Sequence, residues 1–214
     1  MRYRCRPLGR AFVAGYRGAA RIHRKGFSVL ASGAFAEFGS HSVIAPPVRI
    51  EGVSRIAVGS GVSVDSRCWL HVEGDGQHIA IEIGDGSAIG SFTMLSAVQS
   101  IRIGKRVGVG RNVQVSDHSH GFAELDVPVG DQELTKIRPV EIGDGALLGQ
   151  NAVVLPGVRI GRGAVIGANS VVNIDVPDGG LAVGAPARVV RVRSADDAAT
   201  VGLTSSRVSP PEVN

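Results

Sequence analysis

From residue 142 onward the chain repeats on a period of six. Aliphatic residues stand at Ile142, Leu148, Val154, Ile160, Ile166 and Val172, and glycine follows four of them, at 143, 149, 161 and 167. Four positions after each of the first five comes a small residue: Ala146, Ala152, Val158, Ala164 and Ser170. Weaker copies run through Val58, Val64 and Leu70, then Ile83, Ile89 and Leu95, then Ile103, Val109 and Val115, with register slips between blocks. A period of six fits neither an amphipathic helix nor an alternating hairpin. It predicts an all-β parallel β-helix, one short strand and one turn per hexad, three hexads to a coil. The aliphatic residue fills the interior, glycine or a polar residue turns the corner, and stacking buries a column that no single coil could bury.

Composition agrees with narrow coils. The 214 residues include 30 glycines, about twice the usual ~7%, and only 4% aromatics, since rings have little room inside. Cys68 falls at a small inward slot and reads as a core filler. With Cys5 and Cys68 far apart, neither a disulfide framework nor a cysteine zinc site is indicated. No apolar stretch reaches the roughly 18–20 residues of a membrane span, and the basic N-terminus lacks the apolar core of a signal peptide. A cytoplasmic location is the expectation.

Charge divides the chain. Residues 1–26 hold eight Arg or Lys and no acid, leaving the body acidic. Phe12, Val13, Tyr16 and Ile22 lie in this arm at roughly helical spacing, which suits either a solvated arm or peripheral contact with an anionic membrane surface. The acidic body offers no basic stripe or aromatic platform, so nucleic acid is excluded as a partner. The expected organisation is a basic arm at 1–27, a β-helix domain at 28–193 and a mobile tail at 194–214.

The segments IGDGSAIG (83–90), IGDGALLGQNAVVLPGVRIGRGAVIGANSVV (142–172) and VGAPARVVR (183–191) resemble the bacterial hexapeptide-repeat acyltransferases. Within them the chain is most similar to sugar and polysaccharide O-acetyltransferases, including the maltose and galactoside acetyltransferases. The resemblance spans about residues 48–193. It implies a left-handed coil, a homotrimer with active sites between subunits, and acetyl-CoA as acyl donor.

Between Val115 and Ile142 the repeat breaks, so a loop leaves the coil near 116–139, where function tends to sit. Its root carries Asp117, His118, Ser119 and His120. Acetyl transfer to a hydroxyl needs a base of near-neutral pKa, which histidine supplies. By the family's motif the base is His118, although Ser119 replaces a common proline. His120 serves as base instead, as a substrate ligand or as a loop anchor, and Asp117 orients an imidazole or forms a turn. No motif claims His71 or His78, which read as surface-loop residues. Trp69 reads as an outward turn residue, at a subunit contact or a sugar-stacking surface.

For the donor, the resemblance points to Gln150, Ala168, Asn173, Ala185 and Arg188, with Arg188 suited to a phosphate. Ile174 stands where relatives commonly place lysine, which shifts weight to Arg188, Arg191 or Arg193. Leu147 replaces the tryptophan of galactoside-type relatives. The acceptor is expected to be a sugar or surface-polysaccharide hydroxyl; the rival within acyl transfer is an amine of an amino-sugar nucleotide or antibiotic. Other classes are a zinc carbonic anhydrase-like hydratase using His71, His118 and His120, and a non-catalytic scaffold. The expectation is that no metal is bound.

Overall fold

A computed structural model describes residues 7–193, and within them the hexads wind into a left-handed parallel β-helix with three flat faces. The first face stacks Glu37–Phe38, Ile56–Val58, Ile81–Ile83, Ile101–Ile103, Val140–Ile142 and Arg159–Ile160. The second stacks Val43–Ile44, Ser63–Val64, Ala88–Ile89, Gly108–Val109, Leu147–Leu148, Val165–Ile166 and Gly180–Gly184. The third stacks Arg49–Glu51, Trp69–Val72, Met94–Ala97, Gln114–Ser116, Val153–Val154 and Val171–Val172. A last strand, Ala187–Val192, folds back antiparallel on Gly180–Gly184. Ile160 stacks on Ile142, Ile166 on Leu148 and Val172 on Val154, so an uninterrupted coil takes eighteen residues.

Both sets of repeat positions point inward. The aliphatic members from Val58 to Val172 are at most 6% exposed, and Ala146, Ala152, Val158, Ala164 and Ser170 at most 4%. Cys68 is buried among them, and burial pushes its thiol up to about 11, which leaves it an inert filler. The coil begins one turn before the weaker copies, at Glu37, where Phe38, Ile44 and Ile50 keep the six-residue spacing in register with Val58, Val64 and Leu70.

Two of the three corners are built on glycine. At the first, a Cβ on Gly84 would lie 2.6 Å from the backbone carbon of Gly104 in the next coil. At the second, Gly90, Gly110 and Gly149 meet the coil above in the same way. The second corner then turns through Asn112, Asn151 and Asn169 at positive φ, which asparagine tolerates. Their amides form a ladder, Asn112 donating to Asn151 at 3.0 Å and Asn151 to Asn169 at 2.9 Å. The third corner has no such glycine column, and there the chain leaves the coil twice, at 73–79 and 117–138.

Residues of the basic arm lie in a helix, α1 (Pro7–Ser32), which the all-β reading did not include. Only its C-terminal part touches the coil, where Ser28 Oγ accepts the Ile44 amide at 2.9 Å. Phe12, Val13 and Tyr16 are 76%, 46% and 69% exposed. The expected tail at 194–214 lies outside the described residues.

Gly84→Ala should lower stability by about 1–3 kcal/mol, because the added methyl collides with backbone rather than with a side chain that can rotate away. Gly130→Ala, with open space around it, should change stability by less than about 0.5 kcal/mol. Urea midpoints of the two variants check this; equal midpoints would mean that the coils adjust their spacing freely.

Candidate active site

The 117–138 excursion starts and closes at one point: the Arg138 amide donates to the Asp117 carbonyl at 2.8 Å. Ser119–His120 pairs antiparallel with Leu134–Thr135, and buried Gln132 ties the tip by bonding the Glu124 amide and the Glu124 and Val127 carbonyls. The loop is therefore an internally bonded flap laid over the third face.

Asp117, at its root, is fully buried. Its carboxylate accepts the amides of Val98, Gln99 and Ser100 at 2.9, 2.7 and 2.7 Å. A fourth bond joins its Oδ1 to His118 Nδ1 at 2.9 Å. Burial pushes the carboxyl up, but His118 and the three amides together outweigh it and hold it below its ordinary value. Asp117 thus both orients the imidazole and anchors a turn, the two roles the sequence left open. An ionised acceptor at Nδ1 keeps the proton there and leaves the lone pair on Nε2.

His118 opens on a cavity of about 590 Å³ between the third face and the flap. Trp69, His71, Ser96 and Ser116 line its coil side, and His120 and Glu133 lie on its flap side. His120 is exposed and its ring bonds no described protein group, so it does not anchor the loop. Trp69 and His71 correct the sequence reading: both lie in the strand Trp69–Val72, not in a turn or surface loop, and face this cavity. His71 Nε2 bonds Glu73 at 2.7 Å. Its Nδ1 lies 2.6 Å from Glu51 Oε2, so the ring sits between two carboxylates. Arg49 and then the Trp69 N–H, at 3.0 Å, hold the Glu51 carboxyl low. His78 is in the 73–79 loop, as expected.

That loop is held by a residue the sequence reading missed. Arg55 is 5% exposed and donates to the carbonyls of His78, Glu73, Gly74 and Val98 at 2.8–3.2 Å. It fixes the backbone of Glu73, and so one wall of the cavity.

The donor positions divide between two edges. Gln150 and Ala168 follow corner glycines of the second corner, and Ala185 lies in the turn above them. Arg188 is exposed beside it, with Nη1 on the Ala187 carbonyl. Asn173 stands at the third corner, in the column of Ser116. Within one chain these five residues do not share a groove. Among the described residues no group of three His, Cys, Asp or Glu is placed to hold a metal ion.

Residues 139–173 match the family described as bacterial transferase hexapeptide (six repeats), so the resemblance read from the repeats holds. The chain is 28% identical over 107 residues to WbbJ of Escherichia coli, which carries the provisional name of a lipopolysaccharide biosynthesis O-acetyl transferase. The match covers 47% of this chain and about half, 54%, of that protein. Among solved structures, a hexapeptide-repeat acetyltransferase of Vibrio cholerae complexed with acetyl-CoA superposes with a TM-score of 0.54 at 28% identity, over 78% of this chain and 76% of that one. AntD, an N-acyltransferase of Bacillus cereus in complex with dTDP and 3-hydroxybutyryl-CoA, shares the fold with a TM-score of 0.68 at 21% identity, over 82% and 93%.

Because Asp117 has a lowered pKa when folded, the unfolded chain binds the proton first as pH falls. Its stabilisation is complete above the ordinary carboxylate value of about 4 and is lost as pH drops through the lowered folded value. The melting temperature of Asp117→Asn should accordingly fall less steeply than that of the parent from about pH 5 to about pH 3. Parallel slopes would mean that Asp117 carries no lowered pKa.

Proposed function

We propose that this protein is an acetyl-CoA-dependent O-acetyltransferase acting on a hydroxyl of a sugar or surface-polysaccharide precursor. The observation that carries this reading is the buried Asp117 holding His118 by Nδ1, which leaves Nε2 free, with His118 lining a cavity on a hexapeptide coil. Nε2 takes the acceptor's proton as its oxygen attacks the thioester carbonyl. Collapse of the tetrahedral intermediate breaks the C–S bond, and the imidazolium returns the proton to the departing thiolate. The O-acetyl name carried by WbbJ favours a hydroxyl over an amine.

The two-edge distribution of Gln150, Ala168, Ala185 and Arg188 on one side and Asn173 on the other suits a donor bound between copies. A homotrimer would set one copy's second corner against another's third. Leu155 and Ile174, both 36% exposed near the third corner, would be covered there. Helix α1, with exposed Phe12, Val13 and Tyr16 beside Arg10, Arg17 and Arg21, suits an anionic lipid surface carrying a lipid-linked acceptor.

Thiol release from acetyl-CoA, measured over a panel of sugars, amino sugars and sugar nucleotides, tests the reaction. Acceptor-dependent release should fall on the order of 10²- to 10⁴-fold in His118→Ala. Undiminished release in that variant would remove His118 from the chemistry, and release with amines alone would replace O- by N-acetylation. Light scattering should return three times the 22.1 kDa chain mass, whereas a monomer that turns over would defeat the shared site. Co-sedimentation with vesicles containing phosphatidylglycerol, and not with phosphatidylcholine alone, should be lost in Phe12→Ser/Tyr16→Ser; equal pelleting of both proteins would remove the membrane role.

A further inference from the structure

The third face is a ruler, because its strands are parallel, in register and about 4.8 Å apart. Glu51, His71, Ser96 and Ser116 occupy one outward column on consecutive coils. His118 follows Ser116 by two residues, so it stands beside the Ser116 rung, with the His71–Glu73 pair two rungs away. Between them the column carries only serines, Ser96 and Ser116, both of which line the cavity.

Ser96 is the telling member. It is 8% exposed, it lines the cavity, and among the described residues its hydroxyl has no hydrogen-bond partner. Its oxygen is not sealed off by the protein and is free to bond a molecule in the cavity. Ser116, one rung away, bonds the His118 carbonyl at 2.8 Å and is already committed. On the other side, Glu73 uses Oε2 for His71 and leaves Oε1 without a partner among the described residues. Two unfilled groups, one donor-acceptor and one pure acceptor, therefore face the same space about one to two rungs from the base, or roughly 5–10 Å. A single pyranosyl ring spans that separation with hydroxyls at opposite edges. Trp69 and Met94, on neighbouring rungs of the adjacent column, give its C–H face an apolar floor.

Charge decides the class. The cavity lining contains the carboxylates Glu73 and Glu133 and no lysine or arginine. A phosphate at this point would meet two carboxylates with only imidazoles to answer it, two of them already bonded to carboxylates, whereas a neutral polyol would donate to Glu73 and exchange bonds with Ser96. We infer that Ser96 and the His71–Glu73 pair form the acceptor subsite, holding a second hydroxyl of a neutral pyranosyl ring while another hydroxyl is presented to His118. This rests on the acetyl-transfer reading above, deepens it to a substrate class, and places any phosphate of a nucleotide- or lipid-linked acceptor outside the cavity.

Saturation-transfer NMR with methyl glycopyranosides and their 6-phosphates reads binding apart from turnover. The full chain should bind at least one neutral glycoside, with its 6-phosphate at least about tenfold weaker, and Ser96→Ala and Glu73→Gln should each weaken the neutral ligand about tenfold. In thiol-release assays the same variants should raise the acceptor KM by a similar factor, shift kcat at saturation by less than about threefold and leave the acetyl-CoA KM in place. Circular dichroism melts identify a variant that has merely unfolded, and Ser96→Cys then replaces Ser96→Ala. Tighter binding of the phosphate, or unchanged binding and KM in both variants, overturns the subsite. Glycoside binding that responds to both variants without any thiol release overturns acetyl transfer and spares the subsite, and no binding of any glycoside overturns the subsite whatever the thiol assay gives.

Discussion

Everything in this molecule hangs on the distance between neighbouring coils. Parallel strands stack about 4.8 Å apart, so whatever occupies a position in one coil must leave room for its copy directly above. On the faces that is easy, because side chains point away from the stacking axis. At the first two corners the backbone itself turns into the path of the next coil, and a Cβ on Gly84 or Gly149 would fall within 3 Å of backbone. Glycine is required there by contact rather than by backbone angle. The interior imposes the matching demand, a short aliphatic or small side chain at every hexad, because three faces close on one narrow column.

The third corner escapes the first constraint and carries both excursions from the coil. Two loops leave there, and each is fastened by a buried charge that bonds main chain rather than an opposite charge. Arg55 supplies donors to carbonyls of the 73–79 loop, and Asp117 supplies acceptors to the amides of 98–100 at the root of the flap. Both meet at one residue: the Val98 carbonyl accepts from Arg55 and the Val98 amide donates to Asp117. One wall of the cavity is thereby tied to the other through a single residue's two backbone groups. Such an anchor costs nothing in unpaired polar groups as long as every bond is kept, and losing either charge would strand several at once.

This arrangement explains how far the sequence could be read. The coil was legible because each hexad repeats one physical demand, and the same aliphatic-glycine pattern marks it from Ile142 to Val172. The first coil, Glu37 to Glu51, was not, although Phe38, Ile44 and Ile50 keep the spacing, since an aromatic opens it, no glycine follows its two isoleucines and eight residues separate Ile50 from Val58. Asp117 and His118 announced themselves at a break in the repeat. Ser96, His71 and Arg55 did not, because their roles come from register between residues twenty or more positions apart. A usable signal existed: each of Glu51, His71, Ser96 and Ser116 directly follows an inward aliphatic residue of its coil, Ile50, Leu70, Leu95 and Val115. Reading outward neighbours as a column, rather than residues one at a time, would have assembled that wall.

The donor count at Asp117 also fixes which nitrogen of His118 is left free. A carboxylate accepting three amides and an imidazole N–H is stabilised in its charged form even at full burial, so it is a poor destination for a proton. The proton on Nδ1 consequently stays between two groups that both gain from its staying. Rotating the ring to offer Nδ1 to a ligand would leave a buried carboxylate short of one donor, in a place no water replaces cheaply. The lone pair that His118 can present is therefore on Nε2, and His118 lines the cavity. The same four bonds that hold the flap to the coil set the tautomer and the orientation of the His118 ring, so a fully buried carboxylate decides which nitrogen its neighbour can offer.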